Sequence, residues 1–327
     1  MVLISLDDLH DAAARIGAVV RNTPLVPASL PGEPPLWLKC ENLQLAGAFK
    51  IRGAYNFVSR LPDAERRRGV ITYSSGNHGQ GVALAARLLG APAVIVMPTT
   101  APAIKVDGAR GFGAEVLFEG TTSLERKARA EREALARGLT VVPPFDHPHI
   151  VAGQGTVGLE ILDDAPDVRA VYVPIGGGGL AAGVATAVKR RSPDVRVIGV
   201  EPVGASKMLA SLREGRPVTL DRCESIADGL LPVRPGDLTF AHVQAYVDEI
   251  RTVTDAEIAA AVLWLLRHAH LVVEPSGAAA VAAVRRELEA DPAEPSHRRV
   301  AILSGGNVSL ETLVSLSGTP ARDMPLG

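Results

Sequence analysis

The amino-acid sequence predicts an α/β fold built on a mainly parallel sheet, and three observations support this prediction. Short apolar runs of the kind expected for buried strands alternate with Ala- and Leu-rich helical stretches along most of the chain. A glycine or a polar turn separates most neighbouring segments. The 32 glycines and 24 prolines are scattered between segments and do not gather in low-complexity linkers. This alternation is typical of parallel strands joined by crossover helices.

The first half of the chain shows the alternation most clearly. Ser5, with Asp8 three residues on, marks the start of a helix. The segments that follow are predicted, in order, as a strand at 70–73, a helix through Leu89, a strand at 94–97, a helix near 103–110, a strand at 115–118 and a helix at about 122–137. Gly90 and Gly138 stand at the ends of two of these helices, where glycine commonly ends a helix.

The second half of the chain continues the same pattern. Strands are predicted at 171–175, 196–200 and 300–303, and four consecutive glycines separate the first of them from an Ala-rich helix. Thr254 and Glu257 have the spacing of a capping box, in which each side chain bonds the other residue's backbone N–H, so a further helix is expected to begin there. These features predict the scaffold and carry no chemistry themselves.

Composition and charge exclude several classes of function. In 327 residues, 34 Lys and Arg nearly balance 36 Asp and Glu without a long block of like charge, so the basic footprint of a nucleic-acid-binding protein is missing. Every apolar run is shorter than the ~18 residues of a membrane-spanning helix, and the first residues lack the pattern of a secretory signal. The cysteines, Cys40 and Cys223, form no CxxC pair. We therefore expect a cytoplasmic protein with neither nucleic acid nor membrane as a partner.

Three strand-to-helix junctions are rich in Gly, Ser and Asn. They comprise residues 74–81, 176–179 and 304–307. In open α/β sheets, ligands bind beyond the carboxyl ends of the strands, where the loops turn into helices. The sequence therefore predicts a small-molecule site formed by these junctions.

The four glycines at 176–179 (the glycine loop) are suited to hold a phosphate. They leave backbone N–H groups free to surround an anion, and the N-terminus of the following helix adds positive potential. The spacing Gly177-x-Gly179-x-x-Ala182, with Glu201 further on, also fits the fingerprint of dinucleotide-binding proteins. On this segment alone, a nicotinamide-dependent oxidoreductase is an alternative.

One lysine has a setting that favours covalent chemistry. Lys50 lies between Phe49 and Ile51, shortly after the small residues Gly47 and Ala48. Apolar surroundings disfavour the ammonium form of a lysine, and the neutral amine is a nucleophile able to form a Schiff base. Because most lysines are simply solvated, this feature gains weight only together with the motifs around it.

Four motifs follow one another along the chain. They are GAFKIRGA at 47–54, SSGNHGQ at 74–80, GGGG at 176–179 and SGGN at 304–307. In this order they resemble the serine/threonine dehydratase and serine racemase family of pyridoxal-phosphate (PLP) enzymes, and the resemblance covers nearly the whole chain. It implies that the glycine loop holds the phosphate of PLP and not that of a nicotinamide cofactor.

The resemblance also implies the architecture known as PLP fold type II. This α/β fold has two open, twisted, mainly parallel sheets flanked by helices, with the active site in a cleft between a large and a small domain. The large domain would be discontinuous, at 1–68 and 147–327. The small domain, at 69–146, would bind the substrate carboxylate.

Carried over to this chain, the family motifs imply the residues that hold the cofactor. Lys50 would form the Schiff base with PLP and remove the Cα proton of the substrate. The full implied set is Phe49, Lys50, Asn77, Gly176, Gly177, Gly178, Gly179, Leu180, Ser304 and Glu274. Within it, Asn77 would bond the phenolic oxygen of PLP, and Ser304 would face the pyridine nitrogen. A hydroxyl there need not protonate the ring, and a neutral ring favours β-elimination over transamination.

The same resemblance implies a substrate subsite. Its residues would be Ser74, Ser75, Gly76, Asn77, His78 and Asp228. The 74–78 segment would hold the substrate carboxylate through N–H groups and hydroxyls. Ser75 would also lie on the cofactor face opposite Lys50, where racemases of the family keep a second acid/base. We expect His78 to fix the local backbone and not to react.

The chain departs from the family pattern at two places. Ala48 stands where these enzymes commonly have Ser. Metal-activated members have carboxylates at the positions of Glu201 and Lys207, with the carbonyl matching Ala205 between them. Because an ammonium cannot ligate a divalent cation, we expect no metal here, with Lys207 paired to Glu201 in its place.

These observations together predict a PLP-dependent ammonia-lyase. It would convert L-threonine, L-serine or both to a 2-oxo acid and ammonia, by Cα deprotonation and β-elimination, as a homodimer by analogy. Within the same chemistry, a serine or other amino-acid racemase, or a dehydratase of another 3-hydroxy amino acid such as 3-hydroxyaspartate, is the alternative. From other classes, the nicotinamide oxidoreductase and a non-catalytic binding protein with the same cleft are the competing hypotheses.

Overall fold

The computed structural model describes residues 2–29, 35–74, 76–101, 103–290 and 297–318. Its helices are α1 (Leu6–Ile16), α2 (Lys50–Val58), α3 (Asp63–Arg68), α4 (Asn77–Leu88), α5 (Ala103–Gly111), α6 (Ser123–Arg137), α7 (Pro148–Asp164), α8 (Gly179–Arg191), α9 (Lys207–Glu214), α10 (Asp237–Tyr246), α11 (Asp255–His268), α12 (Pro275–Ala290) and α13 (Leu310–Ser317). Its strands are β1 (Leu25–Pro27), β2 (Leu36–Lys39), β3 (Val70–Tyr73), β4 (Ala93–Met97), β5 (Glu115–Phe118), β6 (Thr140–Val141), β7 (Val168–Pro174), β8 (Arg196–Pro202), β9 (Glu249–Val253) and β10 (Arg298–Ile302). Short 3₁₀ helices cover Glu41–Leu43, Leu45–Gly47, Val203–Ala205 and Asp228–Leu230.

The strands form two open sheets, which confirms the predicted fold class. The larger sheet has the order β1-β2-β10-β7-β8-β9, and the smaller has the order β5-β4-β3-β6. The paired strands are parallel except for β1, which runs antiparallel to β2. All strands of the smaller sheet lie between residues 70 and 141, inside the segment proposed as the small domain. The domain boundaries themselves stay a prediction.

The centre of the larger sheet is buried on both faces. Val171 and Val173 of β7 pack into a cluster with α7 and α8, whereas Ala170 and Tyr172, on the opposite face, pack with α11 and α12. Successive side chains of a strand point to opposite faces, so a strand covered on both sides carries a continuous apolar run. This is why β7 and β8 are recognisable in the sequence.

Helix ends follow the predicted capping chemistry. The Ser5 hydroxyl accepts a hydrogen bond from the backbone N–H of Asp8, and the Asp8 carboxylate accepts one from the N–H of Ser5. Thr254 and Glu257 make the same reciprocal pair at the start of α11. Gly138 ends α6 in the left-handed conformation, with φ of 65°. These local signals place the helices that flank the sheets.

Helix α7 is buried along most of its length and was not predicted. The high glycine content of this helix is typical of a turn, but here the glycines let neighbouring helices approach closely. A Cβ on Gly153 would lie 2.6 Å from the Cα of Gly53, and one on Gly155 would lie 2.8 Å from the carbonyl oxygen of Gly183. Close packing against α2 and α8 therefore overrides the weak helix propensity of glycine. None of the described helices combines the length and apolar character needed to span a lipid bilayer.

Candidate active site

The three predicted junctions lie at carboxyl ends of strands, in the two sheets. The first follows β3, the second follows β7 and the third follows β10. Backbone contacts join the third junction to the segment before Lys50. Ala48 and Gly305 form an isolated β-bridge, the N–H of Phe49 donates to the carbonyl of Ser304 (3.2 Å), and the N–H of Gly306 donates to that of Gly47 (2.8 Å). The segment before Lys50 and the 304–307 loop, more than 250 residues apart in the sequence, therefore bind each other through their backbones.

Lys50 is the first residue of α2 and is partly buried, directly after the segment that binds the 304–307 loop. Its ammonium donates to the carbonyl oxygen of Pro144 (2.9 Å) and lies 5.1 Å from the centre of the Phe49 ring. Burial lowers the pKa of Lys50 to about 8, and the charge of Glu274 opposes this shift. A substantial fraction of free amine is therefore present near neutral pH, which is what an amine needs in order to attack a carbonyl carbon.

Asn77, the first residue of α4, is held from two sides. The Asn307 amide donates to its Oδ1 (2.9 Å) and also to the carbonyl of Ala46 (2.8 Å). The Nδ2 of Asn77 in turn makes a short hydrogen bond to Glu274 Oε1. These contacts fix which end of the Asn77 amide is the donor. Asn307 belongs to a motif recognised in the sequence, but its role as a partner of Asn77 was not foreseen.

Glu274 lies directly before α12 and is buried. Its Oε2 has no hydrogen-bond partner among the described residues. Burial raises the pKa of Glu274 to about 7, against the opposing charge of Lys105. The carboxyl is therefore able to change protonation state near neutral pH in the middle of the site.

The glycine loop connects β7 to α8 without room for side chains. A Cβ on Gly177 would lie 2.3 Å from the ring of Phe145, and Gly178 has a φ of 99°. The carbonyl of Gly177 accepts from the hydroxyl of Thr239 (2.7 Å), which holds the loop in place. The N–H groups in the first turn of α8 have no partner inside the helix, as at every helix start. The loop therefore has the form of an anion cradle, with buried Leu180 directly behind it.

The side chains of Ser304, Ser74 and His78 each make a hydrogen bond with a backbone group. The Ser304 hydroxyl makes a long hydrogen bond to the carbonyl of Ser276 (3.4 Å), and that of Ser74 accepts from the N–H of Gly76 (3.2 Å). His78 lies in the first turn of α4 with Nε2 3.2 Å from the carbonyl of Val142. Burial lowers the pKa of His78 to about 3, so the ring is neutral. Ser75 lies outside the described residues.

Asp228 is paired with a residue that the sequence reasoning missed. The carboxylate of Asp228 forms a close ion pair with the ammonium of Lys105, on α5 beside the smaller sheet. Lys105 lies between Ile104 and Val106, the same kind of apolar setting that drew attention to Lys50. These apolar neighbours are the sequence feature that could have pointed to Lys105. The pair joins an element next to the smaller sheet to the 3₁₀ helix that packs against Gly176.

Lys207 and Glu201 form a completely buried ion pair, with 3.1 Å between Nζ and Oε1. The Lys207 ammonium also donates to the carbonyls of Ile175 (2.9 Å), Ala205 (3.0 Å) and Leu230 (2.9 Å). Three carbonyls and one carboxylate are the ligands that a hard cation would take, and the ammonium occupies their centre. Among the described residues, no group of three or more His, Cys, Asp or Glu side chains is arranged to hold a metal ion.

Glu201 is completely buried, so it is not accessible to the ribose of a dinucleotide. Besides contacting Lys207, its two oxygens accept from the N–H groups of Met208 and Leu209 (2.9 Å each), at the start of α9. Residues 177–182 and Glu201 therefore have the sequence spacing of a dinucleotide-binding site, but the Glu201 carboxylate is not placed to bind a ribose.

Comparison with known proteins shows the family of this chain. Residues 16–305 match the family model described as pyridoxal-phosphate dependent enzyme. The chain is similar to an L-threonine ammonia-lyase of Thermotoga maritima, with 46% identity over 95% of this chain and 77% of the relative. It is also similar to a serine racemase of Schizosaccharomyces pombe, with 39% identity over 95% of this chain and 96% of the relative. The structure of maize serine racemase superposes with a TM-score of 0.90 at 38% identity, covering 96% of this chain and 97% of that one.

Proposed function

This chain belongs to the family of pyridoxal-phosphate-dependent enzymes, and on that premise we propose that it is an ammonia-lyase acting on L-threonine, L-serine or both. The observation that carries the proposal is the packing of the segment before Lys50 against the 304–307 loop, whose Asn307 amide binds Asn77. Lys50, with a lowered pKa, follows directly after that segment. Similarity over 95% of the chain to a relative named L-threonine ammonia-lyase supports the same choice.

The residues present fit the cofactor. The glycine loop leaves no space for a side chain beside Phe145, so backbone N–H groups form the surface offered to a phosphate. Lys50 supplies an amine able to form the Schiff base with PLP. When bound, PLP supplies an electron sink for the charge left at Cα. Phe49, Asn77, Gly176, Gly178, Gly179, Leu180, Ser304 and Glu274 complete the proposed set of cofactor contacts.

In the proposed reaction, this chain's residues orient the substrate and move protons. The Lys50 amine takes the Cα proton, since its lowered pKa leaves it partly neutral at the working pH. Ser74, Ser75, Gly76, Asn77 and His78 form the proposed carboxylate subsite, with Ser75 and Lys50 as the acid/base residues. Loss of the Cα proton and the β-hydroxyl releases water, and hydrolysis of the freed enamine takes one water back, so that the net products are a 2-oxo acid and ammonia.

The buried Lys207 ammonium supports a further part of the proposal, that activity needs no divalent cation. It occupies the cage of oxygens formed by Glu201 and three backbone carbonyls. A divalent ion in the same place would meet the repulsion of a fixed positive charge. The site would therefore be held together by an internal cation.

The proposed assembly is a homodimer, by analogy with the family, and the proposed location is the cytoplasm. Cys40 and Cys223 are both free thiols, in keeping with a reducing compartment. Sedimentation equilibrium of the purified protein tests the assembly, with twice the chain mass expected.

Racemisation is the second candidate, because relatives named serine racemase match the chain at 38 to 39% identity. One experiment separates the two candidates. The holoenzyme is incubated with L-threonine, L-serine and L-threo-3-hydroxyaspartate, and both the 2-oxo acid and the enantiomer of recovered substrate are followed. Oxo acid from threonine or serine supports the lyase, whereas inversion of configuration without oxo acid supports the racemase.

Replacement of Lys50 tests the mechanism within either candidate. Lys50→Ala should abolish turnover while the circular dichroism spectrum stays that of the wild type. Borohydride reduction of the holoenzyme should place the pyridoxyl label on the peptide that contains residue 50. A label on another lysine would refute the assignment.

A further inference from the structure

A second lysine lies next to the proposed carboxylate subsite, besides the proposed catalytic one. Lys105 is buried, with its side chain 8% exposed, although lysine side chains are mostly solvated. It is held on α5, which packs closely on α4: a Cβ on Gly108 would lie 2.5 Å from the side-chain oxygen of Gln80. A buried cation is costly unless a carboxylate or several oxygens compensate it. The identity of its partner is therefore informative.

The partner of Lys105 is Asp228, the first residue of the 3₁₀ helix Asp228–Leu230. The Asp228 side chain is 45% exposed and is weakly held by the hydroxyl of Ser276 (3.5 Å). That hydroxyl also accepts from the N–H of Gly229 (2.8 Å), so the Asp228–Gly229 turn is fastened to the start of α12. The ion pair thus has one buried end on α5 and one accessible end that is held on the larger sheet's side.

The pair borders the proposed carboxylate subsite. A Cβ placed on Gly76 would lie 3.0 Å from Cδ and 3.1 Å from Nζ of Lys105, so the lysine side chain lies directly against Gly76 of that subsite. Lys105 therefore contacts both Gly76 and Asp228, and we term these three residues the charged wall. The Lys105 charge also acts on the buried carboxyl of Glu274.

We propose that Asp228 is a specificity-determining residue: by neutralising Lys105 it makes the charged wall suitable for neutral 3-hydroxy amino acids and excludes those with a second carboxylate. This inference rests on the proposed function, because it concerns the side chain of that enzyme's substrate. With Asp228 present, the distal carboxylate of an acidic substrate meets a like charge, and the counter-charge of Lys105 is already used. Without it, the ammonium is free to pair with that carboxylate.

Substrate preference tests the proposal. Asp228→Asn should raise the ratio of kcat/KM for L-threo-3-hydroxyaspartate to that for L-threonine by about tenfold or more, as expected when a repulsive contact is replaced by an attractive one. The double variant Lys105→Met/Asp228→Asn has no cation to offer and should return the ratio to near the wild-type value. Asp167→Asn, which removes an exposed aspartate paired with Arg298, is the matched control and should leave the ratio unchanged.

Two results would overturn the proposal. The first is an unchanged or lower ratio in Asp228→Asn, which would show that the distal group of the substrate does not meet this wall. The second is a gain for 3-hydroxyaspartate that persists in the double variant, since Lys105 would then not be responsible for it. Because Asp228→Asn leaves Lys105 without its partner, the fold of each variant is checked by circular dichroism, and the double variant remains informative if the single one is unstable.

A binding measurement keeps this inference separate from the proposed function. Succinate and butyrate are four-carbon acids that differ by one carboxylate, and calorimetry on the holoenzyme gives the Kd of each. Asp228→Asn should lower the ratio of the succinate Kd to the butyrate Kd by about tenfold. If the wild type turns over neither threonine nor serine but this shift occurs, the proposed function fails and the charge inference stands. If turnover occurs without the shift, the charge inference fails.

Discussion

The amide of Asn307 donates to Oδ1 of Asn77 over 2.9 Å and to the carbonyl of Ala46 over 2.8 Å, joining the last junction of the chain to the first. The second acceptor lies in an unusual stretch of backbone. Ala46 has a φ of 57°, and a Cβ on Gly47 would lie 2.3 Å from Oδ1 of Asn307. Asn307 is therefore a positioning residue for Asn77, and Gly47 leaves the space it needs.

Removal of the Asn307 amide should weaken cofactor binding. In Asn307→Ala, Asn77 loses the partner that fixes its orientation, and we expect the Kd for PLP to rise about tenfold, the effect of losing one buried hydrogen bond. Fluorescence titration of the apoenzyme measures it. Asn307→Gln keeps the amide and provides the comparison. Equal PLP affinity in the wild type and Asn307→Ala would contradict the positioning role.

The glycine loop should tolerate no side chain next to Phe145. Gly177→Ala places a Cβ within 2.3 Å of that ring, so we expect at least about tenfold weaker PLP binding with the fold retained. Gly177→Ala/Phe145→Ala restores space and should recover part of the affinity. Gly111→Ala is the control, because a Cβ there meets nothing within 4 Å. Full PLP affinity in Gly177→Ala would show that the loop is not the phosphate site.

The buried Lys207 should make the enzyme indifferent to chelators. Wild-type activity is expected to survive exhaustive treatment with EDTA and to gain nothing from added Mg²⁺ or Ca²⁺. Lys207→Met leaves Glu201 buried and unpaired, which should cost about 3–5 kcal/mol in the free energy of unfolding, measured by urea denaturation. Glu201→Gln added to Lys207→Met should recover part of that loss. Clear stimulation of the wild type by either metal would argue against the internal cation.

Capture of PLP by the apoenzyme should depend on pH through Lys50. Burial lowers the pKa of this amine to about 8 from the ordinary value of 10.5, so roughly a quarter of it is free at pH 7.5. The rate of capture should rise as the ammonium loses its proton, with a midpoint near pH 8 and a plateau above pH 9. Stopped-flow absorbance gives the rate.

An exposed lysine serves as the reference for that measurement. The side chain of Lys127 on α6 is 51% exposed, and its labelling by an amine reagent can be read from the same digest. If capture of PLP continued to rise up to pH 10 instead of levelling off above pH 9, the lowered pKa of Lys50 would be refuted.

Much of this protein is legible in the sequence because the signals are local. Alternating strand and helix patterns predict an α/β fold with mainly parallel strands, and the family resemblance implies that they form two sheets. The capping pairs at Ser5 and Thr254 place helix starts within one turn. Lys50 stands out in the sequence because its neighbours are apolar or small. The glycine loop and the 304–307 motif stand out because they are rich in Gly, Ser and Asn directly after a predicted strand. Comparison with known proteins then confirms the family that these motifs suggest.

Other features depend on contacts between distant parts of the chain, so only the tertiary structure decided them. Helix α7 exists because its glycines admit α2 and α8, although its composition suggests a turn. The partners of Asn77 and Asp228 come from residues 230 and 123 positions away, and no local pattern specifies such a distance. Burial depends on the whole fold, and it shifts the pKa values of Lys50 and Glu274. Burial also makes an unpaired Lys105 unfavourable, which accounts for its ion pair with Asp228.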